Sequence, residues 1–331
     1  MKRKTLSIGG ATYDLFVCLP HDVVHAHSTD EFFRLPLGAK IRAEKIVETC
    51  GGGAANTSVG LARLGCEASF EGVIGSDQWG EKLLANFRKQ GVRTDAVTIV
   101  EGETTSFSII LLGGSRERVI LYQPSTNTHL KDMTFDKEIL KRVDWVYLNH
   151  LSEESCEIEN DIVEMLSLDG APLLTWNPGG CQIGKGLEEK DNASLLARTQ
   201  LLLVNKEEAL ALSRTTDIPA AIKAFLKGGA KIVCVTDGKN GAFASDGTSI
   251  LRCPILPNIA IVNTTGAGDA FGTGMTWGLL SGLTLPESMK AGTISAGSVV
   301  ANMGSQTGLL TDIEMRQKLK ECSLEVDTHS L

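Results

Sequence analysis

The chain has 331 residues, of which 42% are hydrophobic, and it carries a formal net charge of −8. This length suits one large α/β core, and the acidic balance disfavours nucleic acid as the main partner. No apolar run is long enough to span a membrane, and Met1–Lys4 leads into a strand without the apolar segment of a signal peptide. We therefore expect a cytoplasmic protein with neither a membrane nor a nucleic acid as its partner.

The first half of the chain interrupts an otherwise regular alternation of strand and helix patterns. A first strand is expected to end within Ile8–Asp14, but residues 16–48 lack the crossover helix that should follow it. Polar and apolar residues alternate in Ser106–Leu112 and again in Arg118–Tyr122, on either side of Gly113-Gly114-Ser115. This pattern predicts a β-hairpin.

The second half continues the alternation and ends in helices. Buried-type strands are predicted to end at Thr175–Pro178 and Cys234–Gly238, and to run over Leu201–Val204 and Ile259–Val262. Helices are predicted over Ala270–Ser281, Leu285–Met303 and Asp312–Glu321, with a polar, frayed tail after Cys322.

The strongest functional signal lies in residues 263–274, which read Asn-Thr-Thr-Gly-Ala-Gly-Asp-Ala-Phe-Gly-Thr-Gly. Glycines at this turn let the backbone amides of Gly266, Ala267 and Gly268 converge on one point, where the following helix N-terminus adds partial positive charge. Such a turn holds a phosphate, or the charge on a transferring phosphoryl group. Asp269 stands beside it as a base for a hydroxyl proton. Together they predict a phosphotransferase.

A second glycine-rich segment, Gly51–Gly65, reads Gly-Gly-Gly-Ala-Ala-Asn-Thr-Ser-Val-Gly-Leu-Ala-Arg-Leu-Gly. Its first glycines allow close backbone approach at the start of a helix that Gly65 ends. The Asn56 amide, which is both donor and acceptor, is expected to point towards whatever these glycines face.

These two segments together resemble the two signatures of the PfkB carbohydrate kinase family, also called ribokinase-like. The resemblance extends from about Leu6 to Gly308, and it implies a single kinase domain over residues 1–331. The implied fold class is α/β, a three-layer α/β/α sandwich with a mainly parallel central sheet. A small β-sheet lid, built from about residues 15–48 and 104–122, is implied to cover the substrate and to join two subunits as a homodimer.

The resemblance also assigns ligands and the residues that bind them. ATP and Mg²⁺ are the implied cofactors, and a small sugar or nucleoside is the implied partner. Four residues match positions that bind the acceptor, namely Asp14, Gly52, Gly53 and Asn56. Four others match positions beside the nucleotide, namely Asn177, Asn205, Thr236 and Gly238.

Glu208 matches a residue that orders Mg²⁺ through water, which suits a hard oxygen ligand. Asn205 and Glu208 have a second interpretation, because their spacing also fits an ordinary capping box at a helix start. The two roles are compatible.

Two positions depart from the family pattern. Many members carry aspartate where Asn263 stands, and there it helps to hold an activating potassium ion. Asparagine keeps the shape without the charge, so weaker cation binding is expected and potassium dependence stays open. Gly53 stands where members that act on ribose or phosphorylated sugars often carry lysine. This disfavours a phosphosugar, although Arg116 and Arg118 on the lid offer replacement charge.

The features together favour transfer of the ATP γ-phosphoryl group to a hydroxymethyl group of a small sugar or sugar-like polyol. Asn149 or His150 replaces a glutamate of ribokinase on the middle strand, which argues against ribokinase itself. A nucleoside kinase is the alternative, because nucleoside ribose also offers a hydroxymethyl group. Four aromatic residues could either stack a base or form the core of the lid, namely Tyr13, Phe16, Phe107 and Tyr122. A non-catalytic sensor is disfavoured by the intact base and anion turn, and a vitamin kinase by the lid.

Three other patterns receive structural interpretations. Gly179–Gly186 nearly matches a Walker phosphate loop, but Gly186 replaces the hydroxyl that binds magnesium, so an ordinary loop is predicted. His21, His25 and His27 are interpreted as a surface cluster rather than a metal site. The eight cysteines include no C-x-x-C pair and are interpreted as reduced, mostly packed thiols.

Overall fold

The computed structural model describes residues 2–20, 23–27, 30–113, 118–132, 137–151, 158–168 and 170–331. Within them the strands are β1 (Lys4–Ile8), β2 (Thr12–Cys18), β3 (Val24–His27), β4 (Asp30–Phe33), β5 (Lys45–Gly51), β6 (Glu67–Gly75), β7 (Arg93–Val100), β8 (Phe107–Leu112), β9 (Arg118–Gln123), β10 (Trp145–Leu148), β11 (Leu173–Trp176), β12 (Leu201–Asn205), β13 (Ile232–Thr236), β14 (Ala242–Ser245), β15 (Ile250–Cys253) and β16 (Asp327–His329). The helices are α1 (Gly53–Arg63), α2 (Gln78–Gln90), α3 (Lys137–Leu140), α4 (Ile158–Leu166), α5 (Gly180–Lys185), α6 (Lys190–Leu196), α7 (Lys206–Ser213), α8 (Ile218–Lys227), α9 (Ala267–Leu280), α10 (Leu285–Val300) and α11 (Asp312–Glu321).

Ten strands form the large sheet, in the order β16-β15-β14-β13-β12-β11-β10-β1-β6-β7. The pairs from β7 to β13 are parallel, and β14, β15 and β16 extend one edge in antiparallel fashion. Apolar side chains of α4, α6, α7 and α8 pack on one face, and those of α1, α9 and α10 pack on the other. The expected three-layer sandwich with a mainly parallel sheet is confirmed.

The order of the parallel strands reverses beside β1. The chain moves outward from β1 to β6 and β7 on one side, and from β10 through β11 to β13 on the other. Such a reversal opens a crevice outside the carboxyl ends of the two central strands, where open α/β sheets bind ligands. Here those ends are Ile8 and Leu148.

A four-stranded sheet, β5-β2-β8-β9, stands apart from the large one. The β8–β9 pair is antiparallel, which confirms the predicted hairpin, although residues 114–117 of its turn lie outside the described residues. The predicted first strand is split, because β1 ends at Ile8 and Gly9 turns the backbone with φ of 136°. Asp14 therefore lies inside β2 of the small sheet and not at the end of the first strand.

The C-terminal helices lie close to their predicted positions, and α11 has the predicted bounds. Glycines in α9 allow the predicted close packing, since a Cβ on Gly274 would lie 2.5 Å from the Ala291 carbonyl oxygen of α10. The prediction of a frayed tail is wrong. Asp327–His329 pairs with β15, and Leu324 and Val326 pack against the core, so this end of the chain is held in place.

Two further local predictions are wrong. Ile259–Val262 forms no strand but an irregular, exposed segment, because its isoleucines line a pocket instead of pairing with a sheet. The predicted loop at Gly179–Gly186 contains the short helix α5, which Gln182 stabilises by accepting a hydrogen bond from the Gly179 amide at 2.6 Å.

The cysteines agree with the sequence interpretation only in part. Six of them are free thiols, namely Cys18, Cys50, Cys66, Cys234, Cys253 and Cys322. Cys181 is disulfide-bonded, which corrects the expectation that all are reduced. Pairing of thiols distant in sequence depends on the tertiary structure, and no local motif signals it. Cys156, His21 and the side chains of His25 and His27 lie outside the described residues. In the part of the chain that is described, no helix is long and apolar enough to cross a bilayer.

Candidate active site

The glycine turn before α9 forms as the sequence predicts. Gly266 adopts a left-handed conformation with φ of 78°, and none of the described side chains caps the helix that begins at Ala267. A Cβ on Gly266 would lie 2.4 Å from the Ser305 Cβ, so only glycine fits there. A Cβ on Gly268 would meet no described atom within 4 Å. The Ala267 amide donates to the Thr264 carbonyl oxygen across 3.3 Å. The rest of the helix N-terminus faces open space that an anion can enter.

Asp269 lies in the first turn of α9, and its carboxylate is held from another element. Asn56 of α1 donates from Nδ2 to Asp269 Oδ2 across 2.8 Å. Burial raises the pKa of Asp269, and the hydrogen bond from Asn56 opposes that shift. His150 also lowers this pKa and Glu208 raises it, which places both groups within electrostatic reach. A half-buried carboxylate with a raised pKa is a stronger proton acceptor than an exposed one.

Asp14 is a second carboxyl group whose environment is unusual. It lies in β2 between Thr49 of β5 and Ser108 of β8, and it is only 5% exposed. Burial raises the pKa of Asp14 to about 7, and a hydrogen bond with the Ser108 side chain partly offsets this. A Cβ on Gly51 would lie 2.0 Å from Asp14 Oδ2, so the carboxyl group depends on glycine at that position.

The glycine-rich segment of α1 packs directly on the turn after β1. Gly52 has φ of 91°, and a Cβ there would lie 2.6 Å from the Gly10 carbonyl oxygen. A Cβ on Gly53 would lie 3.2 Å from Asn149 Oδ1, just beyond the end of β10. The structure thus brings the acceptor-binding candidates of α1 to the reversal between β1 and β10.

Asn149 and His150, the two candidate replacements for the ribokinase glutamate, differ in their surroundings. Asn149 is buried and donates from Nδ2 to Thr57 Oγ1 across 3.1 Å, while its Oδ1 has no partner among the described residues. His150 is exposed, with Nε2 3.9 Å from Glu208 Oε1. Asn149 thus offers an unpaired acceptor beside Gly53, and His150 lies beside the carboxylates.

A cavity of about 450 Å³ opens on the other side of the glycine turn. Thr236 and Gly238 line it at the end of β13, and Ala267 and Gly268 line it at the start of α9. Much of the remaining wall is apolar, and it comes from two regions that the sequence reasoning missed. These are residues 255–259 with Ile261, and the side of α10 that carries Thr293, Ala296, Gly297 and Val300. A ligand with a flat apolar ring at one end and a phosphate at the other would fit such a pocket.

The sequence did contain a signal for this wall. Ile255, Ile259 and Ile261 lie close together without intervening charges, and all three are exposed. Apolar runs of this length also suit a strand, so periodicity alone could not separate the two interpretations.

Asn205 and Glu208 form the capping box that their spacing allows. Glu208 N donates to Asn205 Oδ1 across 2.9 Å, and Asn205 N donates to Glu208 Oε2 across 2.8 Å. Asn177 donates from Nδ2 to the Leu203 carbonyl oxygen across 2.9 Å. The second Glu208 oxygen, Oε1, points towards His150 and takes no part in the cap. A carboxylate oxygen outside the cap fits a magnesium ion bound through water.

The Asn263 side chain by itself is poorly suited to a monovalent cation. Its Oδ1 accepts a hydrogen bond from the Thr265 amide at 2.9 Å. Its Nδ2 is buried and has no partner among the described residues. An amide N–H group cannot ligate a cation, so the side chain offers a donor where the resemblance implies a carboxylate oxygen in many members.

One contact crosses from the small sheet to the glycine turn. Arg118 of β9 donates from Nη1 to Thr264 Oγ1 across 2.5 Å. Thr264 also lines the 450 Å³ cavity, as does Lys239. Two positively charged side chains therefore lie at the cavity and its rim. Arg116 lies outside the described residues.

Most of the aromatic residues that could stack a base are engaged elsewhere. Phe16 is fully buried, and Trp79 stacks on Tyr13 at 4.8 Å and on Phe107 at 5.3 Å between ring centres. Tyr122 is the exception among the four candidates, with 52% exposure and a hydrogen bond from Asn127 to its hydroxyl oxygen at 3.1 Å.

Comparisons with known proteins identify the family of the chain. The family model described as pfkB family carbohydrate kinase matches residues 17–312. An uncharacterized sugar kinase of Archaeoglobus fulgidus is 28% identical over 260 residues, which cover 77% of this chain and 100% of the relative.

Solved structures show the same fold. The ribokinase of Arabidopsis thaliana, complexed with ribose and ATP, has a TM-score of 0.78 at 23% identity and covers 97% of this chain and 99% of its own. The nucleoside kinase of Methanocaldococcus jannaschii has a TM-score of 0.78 at 19% identity, with the same two coverages of 97% and 99%. The fold is thus common to kinases of sugars and of nucleosides.

Proposed function

Because the chain belongs to the pfkB family of carbohydrate kinases, we propose that it transfers the γ-phosphoryl group of ATP to a hydroxymethyl group of a small sugar or sugar-like polyol. One observation carries the proposal. Ala267 and Gly268, which lead into Asp269, line the 450 Å³ cavity beside Thr236 and Gly238. A nucleotide in that cavity can therefore present its terminal phosphate to the helix N-terminus and to Asp269.

The proposed chemical step uses Asp269 as the base. The acceptor hydroxyl oxygen bonds to the γ-phosphorus as the bond from that phosphorus to the leaving oxygen of ADP breaks. The hydroxyl proton passes to Asp269, whose raised pKa favours its capture. Backbone amides of Gly266, Ala267 and Gly268 stabilise the charge on the transferring group, because the helix N-terminus is positive.

Other residues hold the nucleotide and its metal in this proposal. Arg118 and Lys239 add positive charge beside the phosphates. Thr236, Gly238, Asn177 and Asn205 lie at or near the nucleotide, at the carboxyl ends of β11, β12 and β13. Glu208 would hold Mg²⁺ through water, and the ion would neutralise phosphate charge.

The acceptor is proposed to lie at the reversal between β1 and β10. Asp14, Gly52 and Gly53 flank that region, and Asn56 joins it to Asp269. Several polar atoms there are buried without partners among the described residues, including Asn149 Oδ1 and Asn127 Oδ1. Such atoms are costly unless a ligand satisfies them, and sugar hydroxyls are suitable donors.

A nucleoside is the second candidate acceptor, and one residue favours it. Tyr122 lies opposite Ser108 in the small sheet, so it shares the face that carries Asp14. Its exposed ring could stack a base.

We also propose that the small sheet forms a homodimer. The face opposite Asp14 carries exposed Ile46, Val119 and Leu121, and it would gain cover from a second copy. The cytoplasm is the proposed location, because the reaction consumes ATP.

ADP release tests the proposal across a panel of free sugars, sugar acids, phosphosugars and nucleosides, with MgATP as donor. Turnover on free sugars or polyols is the expected result, and turnover on nucleosides alone would select the alternative. If ATP binds but no acceptor in the panel is phosphorylated, the proposed reaction is wrong for these classes.

A further inference from the structure

Three side-chain amides join head to tail and end on the proposed base. Asn86 of α2 donates from Nδ2 to Gln306 Oε1 across 2.8 Å. Gln306 donates from Nε2 to Asn56 Oδ1 across 3.1 Å, and Asn56 donates from Nδ2 to Asp269 Oδ2 across 2.8 Å. We call these three amides the amide relay. All of its donors point in the same direction, towards the carboxylate.

The relay fixes which way the Asn56 amide points. Ser305 Oγ lies 2.9 Å from Asn56 Oδ1 and 3.3 Å from the Cys50 carbonyl oxygen, and its single O–H can donate to either one. Rotation of the Asn56 amide would turn its oxygen towards a carboxylate and an N–H group towards the Gln306 Nε2 donor, which is unfavourable at both ends. Asn56 is only 3% exposed, and water is therefore a poor substitute for these partners.

We propose that Gln306 and Asn86 are positioning residues, which act through Asn56 to hold one Asp269 oxygen and leave the other directed at the acceptor hydroxyl. This inference rests on the proposed function, because it assigns Asp269 the role of base. A base with one restrained oxygen has a defined orientation towards the reacting hydroxyl. Small misplacements of a catalytic group lower rates strongly, so distant members of the relay should matter.

The relay also acts on the charge of Asp269. Successive hydrogen bonds polarise one another, so each donor behind Asn56 strengthens the last bond to the carboxylate. Burial raises the pKa of Asp269, and the Asn56 hydrogen bond lowers it. The charged or titratable groups that interact with Asp269 from neighbouring elements are His150 after β10, Glu208 of α7 and Tyr147 of β10. None of these belongs to the relay, so they remain when the relay is cut.

The test compares Gln306→Leu and Asn86→Ala with the unmodified protein. Gln306→Leu removes both hydrogen bonds of Gln306 at similar volume. We expect about a tenfold lower kcat, an unchanged KM for ATP, and an acid limb of the kcat profile displaced to higher pH. Asn86 is a half-exposed helix residue, so the Asn86→Ala variant is expected to fold. It should show the same changes to a smaller extent. Gln317→Leu on the exposed side of α11 is the matched control and should change nothing.

The double variant Asn86→Ala/Gln306→Leu shows whether the two residues act through one relay or cause two independent losses. Because Gln306 links Asn86 to Asn56, Asn86→Ala should cause no further loss when Gln306 is already leucine. Additive losses, an unmoved acid limb or an unchanged kcat would each overturn the inference.

A measurement without turnover distinguishes this inference from the proposed function. NMR titration of ¹³C-labelled aspartate reports the pKa of Asp269 directly, with assignment by Asp269→Asn. A higher pKa in Gln306→Leu than in the unmodified protein supports the relay even if no acceptor is phosphorylated. Equal values in the two proteins reject it even if the kinase reaction is confirmed.

Discussion

Asn56 Nδ2 lies 2.8 Å from Asp269 Oδ2 and joins two residues that are 213 positions apart in the chain. The contact connects the two glycine-rich segments that the sequence singled out. Asn56 lies on α1, at the proposed acceptor side of the site, and Asp269 lies on α9, beside the proposed nucleotide pocket. The resemblance implied an acceptor-binding role for Asn56, and the structure adds a direct contact with the proposed base.

Asn263 leads to a prediction about potassium. Its buried Nδ2 offers a donor where a cation needs oxygen ligands, so we expect equal rates in potassium, sodium and choline chloride at matched ionic strength. Asn263→Asp should introduce activation by potassium, together with potassium-dependent thermal stabilisation. Gln317→Glu on the exposed side of α11 is a control for added charge. Strong potassium activation of the unmodified protein would contradict the structural argument.

The raised pKa of Asp14 predicts that the stability of the protein depends on pH. Its pKa is about 7 in the folded protein and near 3.8 when unfolded, so the folded state disfavours the charged form. The stability that its protonation contributes is fully present below about pH 4 and is lost as pH rises through 7. Asp14→Asn avoids this loss, and its unfolding free energy relative to the unmodified protein should rise by on the order of 1–4 kcal/mol between pH 4 and pH 8.

Urea unfolding at several pH values measures that difference. Asp246→Asn, at an exposed position, is the control and should give a difference independent of pH in this range. A constant difference for Asp14→Asn would show that Asp14 has an ordinary pKa. The same variant should also bind the acceptor poorly, because a neutral amide replaces the carboxylate proposed to bind its hydroxyls.

The position of Arg118 predicts that its substitution weakens the binding of ATP more than that of ADP. Its guanidinium donates to Thr264 at the rim of the cavity, where a terminal phosphate could replace the hydroxyl as acceptor. Arg118→Gln should weaken binding of a non-hydrolysable ATP analogue about 10- to 100-fold and leave ADP binding nearly unchanged, since one charge-assisted contact is removed. Calorimetry can measure both.

The control for this change is Arg42→Gln, which removes an exposed arginine from the segment before β5. Equal losses for ATP and ADP analogues would argue that Arg118 acts through general charge. If Arg118→Gln leaves ATP binding intact but weakens the binding of a phosphorylated acceptor, the partner of Arg118 lies on the acceptor instead.

Local patterns in the sequence were sufficient to predict many elements of the fold and one capping box beside the candidate site. The α11 helix and the β8–β9 hairpin follow from periodicity and turn residues within each segment. Asn205 and Glu208 formed their capping box because both partners lie within four residues.

Features that depend on distant contacts could not be predicted in this way. Ile259–Val262 has the composition of a strand, but none of the described strands pairs with it, and its isoleucines line a cavity instead. The pairing of residues 327–329 with β15 and the disulfide of Cys181 also depend on long-range proximity. The relay residues Gln306 and Asn86 carry no local motif at all.

The most direct test of the account is the effect of Asp269→Asn on phosphoryl transfer, measured as ADP release with the best acceptor from the panel. Loss of the base should lower kcat by about 10²–10⁴-fold, while the affinity for ATP measured by calorimetry stays within a few fold. Asp312→Asn, on the surface of α11, should retain full activity as the matched control. Near-normal turnover in Asp269→Asn would show that this carboxylate is not the base, and the proposed mechanism would have to be abandoned.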